Sequence, residues 1–119
     1  MLFLFSDVGE QDAPTRILPG SHLDVAAMLQ PHGEHGLSFM ELAGRMSELS
    51  ERKTVLATGK AGTVYLCHPF LVHAAQPHNG TEPRFLAQPP LLLKTALKIN
   101  SEDNGYGYAP VEQAIRLAL

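Results

Sequence analysis

Gly62-Thr63-Val64-Tyr65-Leu66-Cys67-His68-Pro69-Phe70-Leu71-Val72-His73, with Pro83-Arg84 beyond it, is the stretch that decides the fold. Thr63 to Cys67 is rich in β-branched and aromatic residues, opens after the turn Gly59-Lys60-Ala61-Gly62 and is bounded by Pro69, so it reads as a strand. Leu71-Val72-His73 reads as a second, shorter strand. Gln76 to Pro83 is a polar loop holding Asn79-Gly80, and Arg84 to Ala87 starts another strand that Pro89-Pro90 stops. A hairpin-like return between His73 and Arg84, eleven residues apart, brings both side chains to one end of a β-structure. A neutral imidazole there can bind a divalent metal. A guanidinium offers a planar fork that matches a carboxylate. The pair therefore suits a metal chelated by a small dicarboxylate. A core histidine beside a solvated rim arginine is the alternative reading of the same spacing.

Outward from this stretch, the texture is short strands around a helical insertion. Leu2 to Phe5 and Thr15 to Leu18 read as strands, the second ending at Pro19-Gly20. Ser21 can cap a helix through Leu29, with Asp24 three residues on. Pro31 to Gly36 is a loop, and Ser38 with Glu41 forms a second capping-box pattern. Phe39, Leu42, Ala43, Met46 and Leu49 then recur at helical spacing to about Ser50, an apolar stripe expected to pack on the β-structure. Thr54 to Ala57 returns to strand. Leu91 to Ile99 is a further candidate strand, Asp103 to Tyr108 a loop, and Pro110 stands at the first position of a helix from Val111 to Leu119. Residues 1–119 are read as one domain with a helical insertion at 33–53. The fold class is mainly β: a small barrel or jelly-roll piece with a C-terminal helix.

Composition narrows the function. The 119 residues are 45% hydrophobic and 18% charged, a globular balance that excludes a disordered chain. A net charge of −3 leaves no basic footprint for nucleic acid. One cysteine excludes an internal disulfide and suits a reducing compartment. The apolar run at residues 1–5 is too short for a signal peptide, and no apolar run approaches the roughly 20 residues of a bilayer span. A cytoplasmic protein without membrane contact is expected. Cys67, in an apolar run, is expected to be a buried structural thiol.

The ordered set Phe3-Leu4-Phe5-Ser6-Asp7-Val8, Arg16-Ile17-Leu18-Pro19-Gly20-Ser21-His22, residues 62–73 and Pro83-Arg84 resembles the distal half of the phytanoyl-CoA dioxygenase family, over about residues 2 to 95. The resemblance implies a double-stranded β-helix of the jelly-roll or cupin-like kind. It also implies Fe(II)- and 2-oxoglutarate-dependent hydroxylation of a small organic substrate. By position, His73 resembles the distal iron ligand and Arg84 the arginine that pairs with the far carboxylate of 2-oxoglutarate, with Leu71 and Leu86 flanking the site.

The family's His-x-Asp iron ligands lie upstream of the strand that here is Leu2 to Phe5, and this sequence starts at Met1. A partial barrel is therefore expected. His22-Leu23-Asp24 spells His-x-Asp and is the alternative ligand pair, although Ser21 with Asp24 also reads as a helix start. Where the family usually has Asn five residues past the distal histidine, this chain has His78, with Asn79 one further on. His32 and His35 read as solvated loop residues and His68 as strand-end packing. Two rival readings follow: a catalytically inactive half-barrel that binds or assembles, and a truncated gene product. Both predict homo-oligomers formed through exposed strand edges.

Overall fold

A computed structural model describes residues 1–99 and 107–119. It contains two antiparallel three-stranded sheets and three α-helices. The first sheet has β1 (Leu2–Leu4) at its centre, between β4 (Val64–Tyr65) and β6 (Leu86–Ala87). The second has β2 (Thr15–Ile17) at its centre, between β3 (Val55–Ala57) and β5 (His73–Ala74). The chain crosses between the sheets three further times after β3, and each central strand is flanked by strands at least 37 residues away in sequence. The strands fall where alternation and turn residues place them, but are shorter than expected. The architecture is β-rich, and the two sheets do not amount to a closed barrel among the described residues.

Side-chain alternation identifies the inner face of each sheet. On β1, Leu2 and Leu4 are buried, while Phe3 and Phe5 stack outside with ring centroids 6.5 Å apart. The register sets Leu2 opposite Tyr65 and Leu4 opposite Leu86, so Tyr65 and Leu86 share that inner face. On β2, Thr15 and Ile17 are buried and Arg16 is exposed between them. Thr15 faces Ala57, and Ile17 lies between Val55 and His73. Leu2, Ile17 and Ala57 meet as one core cluster across the two sheets, with Tyr65, Cys67, Leu71 and Leu86 packed against it. Cys67 is thus a half-buried packing thiol. Burial of this kind is the main stabilising term, at about 25 cal/mol per Å² of apolar surface.

Helix α1 (Ser21–Leu29) starts differently from the expectation. Its N-cap is Gly20, at φ 85°, and Ser21 makes no capping bond. Only glycine takes that left-handed φ without strain, and a β-carbon there would also fall 2.5 Å from Arg52 Nη1. The fully buried Ser21 hydroxyl instead accepts the Val72 N–H at 2.9 Å, and the Leu18 N–H donates to the Val72 carbonyl at 3.0 Å. The Pro19-Gly20-Ser21 corner therefore ties the end of β2 to the residue before His73. Asp24 is held by the other side of this corner: its carboxylate accepts from Arg52 Nη2 at 2.8 Å, Arg52 Nε at 3.2 Å, and the Ser50 amide at 3.1 Å. The Arg52 guanidinium holds the Asp24 carboxyl below its ordinary pKa.

Ser38 and Glu41 make the expected capping box, but helix α2 spans only Phe39–Gly44. Arg45 then leaves helical geometry, at φ −102° and ψ 13°, and a single 3₁₀ turn, Met46–Glu48, follows. The break at Gly44-Arg45 dephases the 39-42-46-49 stripe, and none of it is fully buried: Leu42, Met46 and Leu49 are half-buried and Phe39 is 82% exposed. Leu91 to Ile99 forms no strand, and Leu91, Leu92 and Leu93 are exposed. The expected loop at Asp103 to Tyr108 lies, up to residue 106, outside the described residues. Helix α3 (Pro110–Arg116) begins with Pro110 in its first turn, as expected, and buries Ile115. Glu112 is buried too, its carboxylate accepting the Lys98 amide at 2.7 Å and the Ala109 amide at 2.8 Å. No helix of the described residues is long and apolar enough to cross a membrane.

His68 links the sheets to α3. Its Nδ1 accepts the Phe70 N–H at 3.1 Å, so the proton sits on Nε2, which donates to the Val111 carbonyl at 3.4 Å. Burial lowers its pKa from the ordinary 6.5. The His22 ring lies against it, with centroids 4.8 Å apart.

Two outcomes follow from these contacts. Ser21→Ala leaves the Val72 N–H buried without an acceptor and should cost about 1–3 kcal/mol in unfolding free energy by denaturant titration; a change within about 0.5 kcal/mol contradicts the clamp. His68 and Asp24 both have folded-state pKa values below their unfolded ones. Their contributions are thus complete above the ordinary values and drain as pH falls through the lowered ones. The Tm should fall as pH drops below about 6.5 and again below about 4. The first fall should shrink in His68→Gln and the second in Asp24→Asn; unchanged slopes contradict these assignments.

Candidate functional site

The two residues singled out by spacing come from different sheets, His73 from the second and Arg84 from the first. His73 is on β5, directly opposite Ile17 of β2, and so lies on the inner face of the second sheet. Ile17 is buried, but Val55 and His73 on either side of it are exposed. The inner face is therefore open at this row, and His73 stands at the mouth of the space. The His73 Nδ1 is 2.9 Å from the Leu71 carbonyl oxygen. A carbonyl only accepts, so Nδ1 carries the proton and Nε2 presents a lone pair. This is the tautomer a metal-binding imidazole needs, fixed by a backbone oxygen.

Arg84 leads into β6 of the first sheet. The Phe85 carbonyl accepts from the Phe5 amide at 2.9 Å and the Phe85 amide donates to Ser6 Oγ at 3.0 Å, so pairing with β1 extends one residue before β6. Two-residue alternation from Leu86 then places Arg84 and Gln88 on the same inner face. The half-buried Arg84 reaches the second sheet, where Nη1 donates to the Ala13 carbonyl. Ala13 is buried and sits at φ 52°, an uncommon conformation for a residue with a side chain. The loop between His73 and Arg84 is fixed to the same region: Gln76 Nε2 donates to the Pro14 carbonyl at 2.6 Å and Arg16 Nη2 to the Ala75 carbonyl at 3.0 Å. Leu71 and Leu86 pack on the core cluster beside the site.

The other candidates are not brought to this place. The Asp24 carboxylate is engaged by Arg52 and Ser50, and the half-buried His22 faces His68, with its Nδ1 buried and unpartnered. His32 Nε2 is 3.1 Å from Arg45 Nη1, and His78 Nε2 is 2.8 Å from the Glu82 carbonyl oxygen. Among the described residues, no three His, Cys, Asp or Glu side chains are grouped to hold a metal. The donor set supplies only part of an iron–2-oxoglutarate site: one imidazole with Nε2 unprotonated, and one guanidinium on the facing sheet.

Gln88 escaped the sequence reading. Its side-chain amide contacts His73 Nε2 across the two sheets. The available signal was the 84-86-88 alternation, which runs past Ala87 to Pro89-Pro90.

Comparison with known families gives one match. The phytanoyl-CoA dioxygenase (PhyH) model matches residues 1–86, nearly three quarters of the chain. Neither curated proteins nor solved structures give a match. The matched span takes in both central strands, the Pro19-Gly20-Ser21 corner, His73 and Arg84, and the chain belongs to the phytanoyl-CoA dioxygenase family.

Proposed function

We propose that this chain forms the His73–Arg84 portion of a non-haem Fe(II)- and 2-oxoglutarate-dependent oxygenase site that hydroxylates a small organic molecule. The observation that carries the reading is the placement of His73 and Arg84 on the inner faces of two facing sheets, with the His73 Nε2 lone pair turned toward the sheet that carries Arg84. When bound, the iron supplies activation of oxygen coupled to oxidative decarboxylation of 2-oxoglutarate to succinate. The protein's own share is binding and exclusion. His73 provides one metal ligand, held in its tautomer by Leu71. Arg84 neutralises the distal carboxylate of the cosubstrate through a two-pronged contact that a lysine does not reproduce. Leu71 and Leu86 line the approach with apolar surface and keep water from the reacting carbon.

Calorimetric titration with 2-oxoglutarate in the presence of Fe(II), under anaerobic conditions, tests the clamp. Arg84→Ala should weaken binding by about ten- to a hundredfold, the worth of a charged hydrogen bond. Arg84→Lys should restore only part of this, and Arg45→Ala, at a surface pair with Glu48, should restore nothing and lose nothing. If Arg84→Ala matches Arg45→Ala, the clamp assignment is wrong.

A second reading is favoured by the absence of a three-ligand group among the described residues. In it the chain is a binding or assembly module that self-associates through strand edges. Strands β3, β4, β5 and β6 each pair with one neighbour among the described residues, and Val64 on β4 is exposed. Sedimentation velocity should then show dimers that Val64→Lys weakens, because an edge lysine opposes pairing. A monomer at every concentration contradicts this reading.

A further inference from the structure

The outer face of the first sheet is apolar from edge to edge. Phe3, on the central strand β1, stands opposite Val64 of β4 on one side and Ala87 of β6 on the other. Residues directly opposed in an antiparallel pair share a face. The Phe5 amide bonds the Phe85 carbonyl, which carries the pairing further along and sets these two rings on the same outer side. Leu66 follows β4 between the inward Tyr65 and Cys67, so it points outward as well. An antiparallel sheet with one wet face sets polar residues there, alternating with the apolar ones inside. The second sheet does this, with Arg16 exposed at the centre of its outer face. The first sheet does not: Phe5 is 67% exposed, Phe85 60% and Leu66 80%, and Phe3 stacks on Phe5.

The size of this face fits a second copy. With about 150–250 Å² for each aromatic side chain, the four most exposed residues, Phe5, Val64, Leu66 and Phe85, leave roughly 450 Å² of apolar surface in water. Two such faces give about 900 Å², and homodimer interfaces are about 65% apolar, so the whole interface comes to about 1,400 Å². That lies within the range of specific complexes. A two-fold pairing asks only that a surface match itself, and a pleated face of rings beside the small Ala87 does so in the manner of packed sheets. A lipid surface is the poorer match. No lysine or arginine stands on the face and the chain carries a net charge of −3, whereas membrane surfaces attract basic residues.

We propose that the outer face of the first sheet is a docking surface for a second copy of this chain, the two sheets packing face to face about a two-fold axis. This goes beyond the oxygenase reading and does not rest on it: Arg84 and Leu86 lie on the opposite face of the same sheet, so the docked copy leaves the His73–Arg84 site uncovered. It also differs from pairing through strand edges, since its centre is β1, which already has a neighbour on each side.

The test is sedimentation equilibrium of the full chain from micromolar to near-millimolar concentration. Wild type should show a reversible monomer–dimer equilibrium. Phe5→Lys places a charge at the middle of the face and beyond the reach of either edge, and should raise the dissociation constant about ten- to a hundredfold. Phe5→Leu should keep most of the affinity, and Phe39→Ser, which removes a comparably exposed ring on α2, should change nothing. Methyl NMR of wild type across the same dilution needs no variant: the Val64 and Leu66 signals should move with concentration while those of the inward Leu2 and Leu4 hold still. A monomer at every concentration overturns the proposal. So does a dimer that survives Phe5→Lys and falls to Val64→Lys, which is edge pairing. Equal weakening by Phe39→Ser, the mark of unspecific association, overturns it too, as does a monomer that cosediments with phosphatidylcholine vesicles.

Discussion

The buried hydroxyl of Ser21 accepting the amide of Val72 is the contact on which the site depends. β5 is two residues long and has no core side chain of its own to fix its register. A slip of one residue would turn His73 to the outer face and Ala74 inward. Two bonds prevent it: Leu18 N–H to the Val72 carbonyl, and Val72 N–H to Ser21. Both come from the corner at Pro19-Gly20-Ser21. That corner exists because Gly20 accepts a φ of 85° and leaves room for the Arg52 guanidinium. The same corner starts α1 and sets Asp24 toward Arg52, so one glycine and one serine organise a strand, a helix and the end of the insertion.

This arrangement explains why a Pro-Gly-Ser-His sequence belongs with a distant histidine although none of its side chains need touch a ligand. Proline ends β2, glycine turns the chain, and serine reaches 51 residues ahead to lock the strand that carries His73. The ring of His22 continues the chain of contacts to His68, which holds the first turn of α3 through the Val111 carbonyl. The His-x-Asp spelling at residues 22–24 is thus occupied by structural contacts on both sides.

Much of this was legible in the sequence. Alternation at Leu2 to Phe5, Thr15 to Leu18 and Thr54 to Ala57 located three strands, Ser38 with Glu41 located a helix start, and Pro110 located the last helix. His73 and Arg84 were singled out by spacing and by family resemblance, and the structure sets them on facing sheets. What was not legible depended on tertiary context. Ser21 fits the pattern of a cap, but burial beside Val72 offered its oxygen a backbone donor that solvent does not compete for. The 39-42-46-49 stripe assumed one continuous helix, and Gly44-Arg45 interrupts it. Leu91 to Ile99 has the composition of a strand but pairs with no strand among the described residues. Gln88 was hidden because two prolines suggested that the strand was over, whereas a side chain one residue past the last ladder bond still keeps the strand's direction.

The central claim is geometric: His73 faces the space between the sheets, toward the strand that carries Arg84. Nuclear Overhauser measurements on the chain, selectively labelled at histidine and glutamine, test it without reference to metal or activity. The account predicts cross-peaks between the His73 ring and the Gln88 side chain that vanish in Ser21→Ala. Cross-peaks from the His73 ring to the outward-facing Arg16 instead, with none to Gln88, would place the histidine on the wrong face and contradict it.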